Sequence, residues 1–134
     1  MHRLKLTTAL PVIAFVGLAR CGDATGSGDH CSPTIMVGSG TTPQFSWAPA
    51  CKIQALEVFA GSACSPRFEC WKIESLSDNQ ISSPVRYGRV PSTARQLSPP
   101  LALQRGLEYA VSLERYEDFD GRTLIEVAVA AFTP

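Results

Sequence analysis

The chain has 134 residues, a length that favours one folded domain over two. Hydrophobic residues make up 45 % and charged residues 18 %, a balance typical of a chain that packs a core. The 12 basic and 12 acidic residues cancel, which argues against a nucleic-acid partner, because such a protein needs a basic face. Ten prolines and ten glycines favour the many turns of an all-β domain.

The N-terminus has the pattern of an export signal. Arg3 and Lys5 give it a positive start, and residues 6–19 carry no charge. This apolar run is shorter than the roughly 20 residues that a transmembrane helix needs. Pro11 and the polar residues 22–29 argue against a buried core helix. The sequence therefore predicts a signal helix within residues 1–20, removed on export.

The end of this signal reads Leu18-Ala19-Arg20-Cys21, which resembles the lipobox of bacterial lipoproteins. In the family pattern the residue before the cysteine is small, whereas this chain has Arg20. The resemblance implies that Cys21 is lipidated and anchors the protein to a membrane of the bacterial cell envelope, on the periplasmic or cell-surface side. It also leaves an even set of four other cysteines. The alternative is ordinary cleavage with a free or intermolecular Cys21.

Residues 22–30 have the composition of a flexible tether, rich in Gly, Asp, Ala, Thr and Ser. Removing residues 1–20 takes away three basic and no acidic residues, leaving 12 − 3 = 9 basic against 12 acidic ones. This mild acidity indicates no particular partner. We therefore divide the chain into a signal at residues 1–20, a tether at 21–30 that starts with lipidated Cys21, and a domain at 31–134.

From residue 31 onward, turn-forming residues recur every 8 to 12 residues, the spacing expected of a β-sandwich. No stretch shows a sustained helical period. The fifth predicted strand, at residues 81–90, is confined to a sheet edge or an irregular path by Pro84 within it and Pro91 directly after it. The predicted strands number seven, at residues 34–37, 44–47, 52–60, 68–76, 81–90, 109–116 and 123–132.

Two stretches resemble the framework of immunoglobulin-like domains. Residues 43–49, with Phe45 and Trp47 on one face, resemble the second strand of fibronectin type III domains, where a tryptophan fills the core. The other resembles the tyrosine corner, whose tyrosine hydroxyl hydrogen-bonds back to the turn, and consists of Leu103, Gly106 and Tyr109. The resemblance implies a seven-stranded antiparallel immunoglobulin-like (fibronectin type III-like) β-sandwich, with strands three, four, six and seven in one sheet. It implies a fold and not a function.

Four cysteines of the domain are predicted to form disulfides. Their intervals of 19, 12 and 5 residues exceed the two to four typical of zinc pairs, and an exported chain meets oxidising conditions. Antiparallel pairing of the first two strands would bring Cys31 to Cys51. Cys64 and Cys70 flank the hairpin between strands three and four. We predict Cys31–Cys51 and Cys64–Cys70, one of three connectivities.

Residues suited to catalysis or metal binding are few. After residue 30 the chain has no histidine, and it contains no Gly-x-Ser-x-Gly motif or phosphate-binding glycine loop. Glu117, Asp118 and Asp120 cluster between the last two strands, where a hairpin turn is favoured over a calcium site. We predict no catalytic residue, no metal and no cofactor.

Alternation also places alanine-rich positions on the solvent side of the sheet that contains strands three, six and seven. An exposed antiparallel face is normally polar, and contiguous exposed apolar surface tends to mark an interaction site. We therefore hypothesise an interaction face for a protein partner, formed by Ala55, Phe59, Ala110, Ala128 and Ala130. The alternatives are that the tether, a loop or the Cys64–Cys70 hairpin covers this face, or that the register of strand three is off by one.

The sequence favours a non-enzymatic, membrane-tethered module that binds a partner or serves in the structure of the envelope. The alternative is an accessory or inhibitory subunit of a secreted or envelope enzyme, acting through the loop at residues 62–69. A hydrolase that uses the acidic cluster is a weaker alternative.

Overall fold

The computed structural model describes residues 31–61, 67–117 and 123–134. These residues contain no helix, and so none that could cross a membrane. The predicted all-β class is confirmed for this part of the chain. The predicted signal helix, Cys21 and the tether lie outside the described residues. The strands are β1 (Thr34–Val37), β2 (Gln44–Ala48), β3 (Ala55–Ala60), β4 (Phe68–Ser75), β5 (Val85–Arg86), β6 (Ala94–Ser98), β7 (Tyr109–Glu117) and β8 (Thr123–Phe132).

The strands form two antiparallel sheets, consistent with a β-sandwich. One sheet has the order β1-β2-β5 and the other the order β6-β4-β3-β7-β8. Predicted strands three, four, six and seven correspond to β3, β4, β7 and β8 and share the larger sheet. Strand β6 adds to the predicted set at one edge of that sheet. The sequence does not predict β6, because its side chains are mostly polar and exposed and so show no hydrophobic alternation.

The core forms because the inward positions of both sheets are apolar. Phe45 and Trp47 of β2 are buried, and the Trp47 indole N–H donates to the Cys51 carbonyl at 2.8 Å. The Phe45 ring meets the Phe132 ring edge-on at 5.6 Å, and Phe132 stacks on Tyr109 at 5.8 Å. Aromatic contacts of this kind add to the burial of apolar area and here tie the smaller sheet to β7 and β8.

A second aromatic pair fills the other side of the core. The Trp71 ring lies 5.2 Å from the Tyr87 ring in an edge-on arrangement. The Trp71 indole N–H donates to Gln96 Oε1 of β6 at 3.3 Å, and the Tyr87 hydroxyl donates to the Leu101 carbonyl at 2.7 Å. Both polar tips thus find partners, as buried polar groups require. Burial, with a smaller effect of Cys70, raises the pKa of Tyr87 to about 12.

Two predicted strands are clearly shorter in the structure, and three others differ by one residue at their C-terminal ends. The predicted strand at residues 81–90 is reduced to Val85–Arg86, because Pro84 cannot donate to a ladder. Its start survives as an isolated bridge between Ile81 and Ile53. Because Ile53 takes part in this isolated bridge and not in the ladder, β3 begins at Ala55 rather than at residue 52.

The predicted Cys31–Cys51 disulfide is present, with its two Cα atoms 6.3 Å apart. Strands β1 and β2 pair with Thr34 opposite Ala48. Cys31 and Cys51, which lie three residues beyond this pair on each strand, therefore come together. The bond closes the open end of the β1–β2 hairpin and holds Cys31 beside the residues that follow β2.

Replacing Cys31 and Cys51 together by serine should lower the free energy of unfolding by about 3 kcal/mol, because the unfolded chain loses a cross-link that closes a loop of this size. Urea denaturation of parent and double variant would measure the difference. Equal midpoints and slopes would contradict a stabilising role for this disulfide.

The raised pKa of Tyr87 predicts a loss of stability at alkaline pH. Tyrosine in the unfolded chain ionises near pH 10, whereas folded Tyr87 holds its proton to about pH 12. Between these values the unfolded chain binds fewer protons, so the free energy of unfolding falls, by at most roughly 1.4 kcal/mol for each pH unit. Urea melts at about pH 9 and about pH 11 should show a smaller fall for Tyr87→Phe than for the parent. An equal fall in the parent and in Tyr87→Phe would contradict the raised pKa of Tyr87.

Candidate functional site: the outer face of the larger sheet

The outer face is the side of the larger sheet that points away from the core. Pairing of β3 with β7 places Phe59 opposite Ala110 and Glu57 opposite Ser112. Their neighbours along the same strands, such as Val58 and Val111, point into the core. The outer face consists of Ala55, Glu57 and Phe59 from β3, Glu69, Lys72 and Glu74 from β4, Ala110, Ser112 and Glu114 from β7, and Glu126, Val129 and Ala131 from β8.

Two of the five residues in the hypothesised interaction face lie on the other side of the sheet. Leu113 pairs with Ala128, but the next residue, Glu114, pairs with Glu126. Val127 is therefore an extra residue, and such a β-bulge reverses the alternation beyond it. Ala128 and Ala130 pack against the core cluster as a result. For them the expected outward orientation is wrong, whereas Ala55, Phe59 and Ala110 do share the outer face.

The three remaining residues are buried rather than exposed. Phe59 and Ala110 have 0 % of their surface exposed, and Ala55 has 2 %. Ser112, between Ala110 and Glu114 on β7, is also at 0 %. The expected exposure of this surface is therefore wrong, and the central pair of strands is buried on both sides.

An ionic network frames this buried centre. Arg67, just before β4, lies over the Phe59 ring with its guanidinium carbon 4.4 Å from the ring centroid. It forms ion pairs with Glu57 at 3.9 Å and with Glu126 of β8. Lys72 reaches Glu57 at 3.5 Å and Glu114 at 3.8 Å. These long side chains lay their aliphatic parts over apolar surface while their charges stay at the rim.

Two buried oxygen atoms on this face have no hydrogen-bond partner among the described residues, Ser112 Oγ and Glu114 Oε2. The Glu114 atom retains the ion pair with Lys72. Buried polar atoms are normally satisfied, so unpartnered ones point to a group that belongs next to them. Strand alternation does place Glu57, Glu114 and Glu126 on this face, whereas Arg67 lies outside the strands and its contacts leave no local signal in the sequence.

The residues of the predicted tyrosine corner come together at the start of β7. The Tyr109 hydroxyl accepts a hydrogen bond from the Gln104 backbone N–H at 2.9 Å. Leu103 is buried in the core cluster. Gly106 has a φ of 81°, a left-handed conformation that glycine adopts without strain. The Tyr109 side chain thus links the turn that precedes β7 to the strand itself.

Cys70 occupies a β-bulge, because Val58 pairs with Trp71 while Phe59 pairs with Glu69. It turns inward, carries a free buried thiol and donates weakly to the Phe68 carbonyl. Burial raises the pKa of this thiol. The structure does not show the predicted Cys64–Cys70 bond, and Cys64 lies outside the described residues, so that link stays a prediction.

Of the predicted acidic cluster, Glu117 is among the described residues, whereas Asp118 and Asp120 lie outside them. Glu117 is buried at the end of β7 and accepts the Cys31 backbone N–H at 2.9 Å. Arg115 lies 3.9 Å from the same carboxylate. Among the described residues no group of three or more His, Cys, Asp or Glu could hold a metal ion. The contacts of Glu117 join Cys31 to the end of β7.

The chain was compared with known proteins and families. No family model, curated protein or solved structure matches it. Arguments about its function therefore depend on its own residues.

The tyrosine corner generates a prediction about stability. Tyr109→Phe removes the acceptor of the Gln104 N–H and should cost about 0.5–1.5 kcal/mol, the net value of an ordinary hydrogen bond. Leu103→Ala, which removes a buried side chain, should cost about 2–5 kcal/mol. Urea melts would measure both, with exposed Leu107→Ala as a control of nearly neutral effect. If both replacements proved as neutral as the control, the corner would not be a stabilising contact.

Proposed function

We propose that the chain is an exported lipoprotein, tethered to a membrane of the bacterial cell envelope through Cys21. Its domain serves there as a non-enzymatic binding or structural module. The observation that carries this proposal is the Cys31–Cys51 disulfide at the entry of the domain. Disulfides persist in oxidising compartments outside the cytoplasm, which agrees with the export signal and lipobox-like end at residues 18–21.

The position of this disulfide also supports a tether. Cys31 is fixed by its bond to Cys51 and by its N–H contact with Glu117, which supports a domain that begins at about that residue. Nine residues separate it from Cys21. Fully extended, they span about 30 Å. A tether of that length holds the domain near the bilayer without inserting it.

We further propose that the sandwich is of the fibronectin type III-like, immunoglobulin-like kind. Support comes from the grouping of β3, β4, β7 and β8 in one sheet. The Tyr109 hydroxyl contact with its turn and the buried Trp47 on the second strand add to it. Strand β6 at the sheet edge is a departure from the seven strands expected. Domains of this architecture have many functions, so the fold itself selects none.

A binding or structural role fits the charged residues better than acid–base catalysis does. Glu57, Glu114 and Glu126 are each paired with Arg67 or Lys72 across the outer face. Carboxylates held in this way serve packing and orientation, whereas a general acid or base needs access to a substrate proton.

The alternative of an accessory or inhibitory subunit has one observation in its favour. Phe68, at the end of the loop at residues 62–69, has 65 % of its surface exposed. An exposed aromatic ring beside a loop is the type of residue that anchors an interface. Under this alternative, Phe68→Ala would abolish binding to the enzyme without changing the stability of the domain.

Replacing Cys21 by serine should move the protein from the membrane fraction to the soluble fraction in a bacterial host, because the lipid anchor is lost. Incorporation of a labelled fatty acid, followed by fractionation, would measure this. Ser27→Ala in the tether is the matched control and should stay with the membrane. Arg20→Ala restores the small residue of the lipobox and should keep or raise the lipidated share. A parent protein without label would contradict the proposal.

A further inference from the structure

Positive charge that lacks a counter-charge is concentrated in one stretch of the domain. Residues 79–107 contain no aspartate or glutamate and four arginines, Arg86, Arg89, Arg95 and Arg105. Arg95 is paired with Glu74 at 2.6 Å. The other three are exposed, and the part of the chain that the structure describes offers them no ion pair. Since residues 21–134 carry more acidic than basic residues, these arginines mark a surface that differs in charge from the rest of the domain.

Arg86 and Arg89 are held by a backbone turn that packs on β4. The Arg89 N–H donates to the Arg86 carbonyl at 3.0 Å. Tyr87, between them, is buried and donates through its hydroxyl to the Leu101 carbonyl at 2.7 Å. The Leu101 N–H in turn donates to the Cys70 carbonyl of β4 at 2.9 Å. The backbone positions of the two arginines are therefore fixed relative to the larger sheet.

Exposed apolar side chains lie beside this turn. Leu101 is 45 % exposed and Phe68, two residues before Cys70 on β4, is 65 % exposed. Phe68 pairs with Ala60, which packs against the core, so Phe68 is on the same side of the sheet as Tyr87. We call the surface formed by these apolar residues and the two arginines the turn surface; it consists of Phe68, Arg86, Arg89 and Leu101.

The turn surface lies at the end of the domain that is far from Cys31. Ala60 pairs with both Phe68 and Tyr109, the first residue of β7. Cys31 contacts Glu117, the last residue of β7. Strand β7 has nine residues and spans about 30 Å. A domain tethered through Cys31 would therefore present the turn surface away from the membrane.

The composition of the turn surface indicates the chemistry of a partner. Arginine presents a planar fork of N–H donors that can bind one carboxylate through two parallel hydrogen bonds. Arginine and aromatic residues are also enriched among those that contribute most to protein interfaces. Because the turn fixes both arginine backbones, it suits carboxylates at defined positions in a protein better than a fluid lipid surface.

We propose that the turn surface is the docking site for a protein segment that carries carboxylates beside apolar side chains. Opposite charge steers the encounter, and contact with Phe68 and Leu101 adds affinity. The inference rests on the binding role proposed above and names its surface and the chemistry of its partner. It does not depend on lipidation of Cys21.

A selection from random peptides displayed on phage tests the chemistry of the partner. The full chain of 134 residues is immobilised through an N-terminal tag, after mass spectrometry verifies the Cys31–Cys51 bond. The retained peptides should be enriched in aspartate and glutamate next to apolar residues, and high ionic strength should weaken their binding because salt screens exposed charges. Retained peptides with no excess of acidic residues would overturn the proposal.

Arginine substitutions locate the binding of the selected peptides. Arg86→Gln and Arg89→Gln should each weaken it by at least about fivefold, because each removes hydrogen bonds between charged groups. Arg95→Gln is the matched control and should leave the affinity unchanged. It removes the same charge beside Glu74, about 20 Å along β4 from Phe68. Parental affinity in both Arg86→Gln and Arg89→Gln would overturn the proposal.

The apolar part of the surface is tested in the same assay. Phe68→Ala should weaken peptide binding by about tenfold through loss of a large contact area. Leu76→Ala, at the other end of β4 and 63 % exposed, is its control and should change nothing. Urea melts of all the variants verify that the fold is intact. Peptide binding that is insensitive to Phe68→Ala would contradict a role for the apolar residues.

Vesicles of phosphatidylethanolamine and phosphatidylglycerol test an anionic lipid surface as the partner. Sedimentation with these vesicles that is lost in Arg86→Gln and Arg89→Gln, together with no acidic peptides, would assign the surface to lipid and overturn the proposal. Fatty-acid labelling of Cys21 without acidic peptides would refute the docking site alone. Acidic peptides with an unlabelled parent would refute the lipid anchor alone.

Discussion

The pairing of β3 with β7 is the contact on which the rest of the structure depends. One side of this pair presents Val58 and Val111 to the core, and the other presents Phe59 and Ala110, which are buried as well. If β3 slipped by one residue against β7, its core-facing side chains would move to the outer face and its outer side chains to the core. Because the two faces are buried against different residues, such a slip is disfavoured. The register of this pair therefore fixes where β4 and β8 attach and which way their side chains point.

Much of the fold could be predicted from the sequence because the patterns of its central strands are local. In β7, Tyr109, Val111 and Leu113 alternate with smaller residues, and the structure buries them in the core. The Cys31–Cys51 bond followed from the expected pairing of the first two strands. Strand β6 could not be predicted in this way, since its place comes from partners distant in sequence. Arg95 pairs with Glu74 at 2.6 Å, and Gln96 accepts the Trp71 indole N–H.

The wrong orientation expected for Ala128 and Ala130 has its physical origin in a β-bulge. Alternation assumes a regular ladder, but Val127 in β8 and Cys70 in β4 are extra residues. Each bulge shifts the alternation of its strand, so Ala128 and Ala130 pack against the core and Cys70 is buried. A bulge depends on pairing between strands and leaves no clear signal in either strand alone. The burial of Phe59 was equally hidden, because Arg67, which lies over its ring, comes from outside the strands.

Two-sided burial also depends on the charged residues of the outer face. An aromatic side chain that moves from a covered to an exposed position loses about 1.5–3 kcal/mol of favourable burial, and Phe59 lies under the guanidinium of Arg67. Arg67 is itself paired with Glu57 and Glu126. These ion pairs therefore hold the arginine over the ring, and breaking them would cost the domain apolar burial as well as charge pairing.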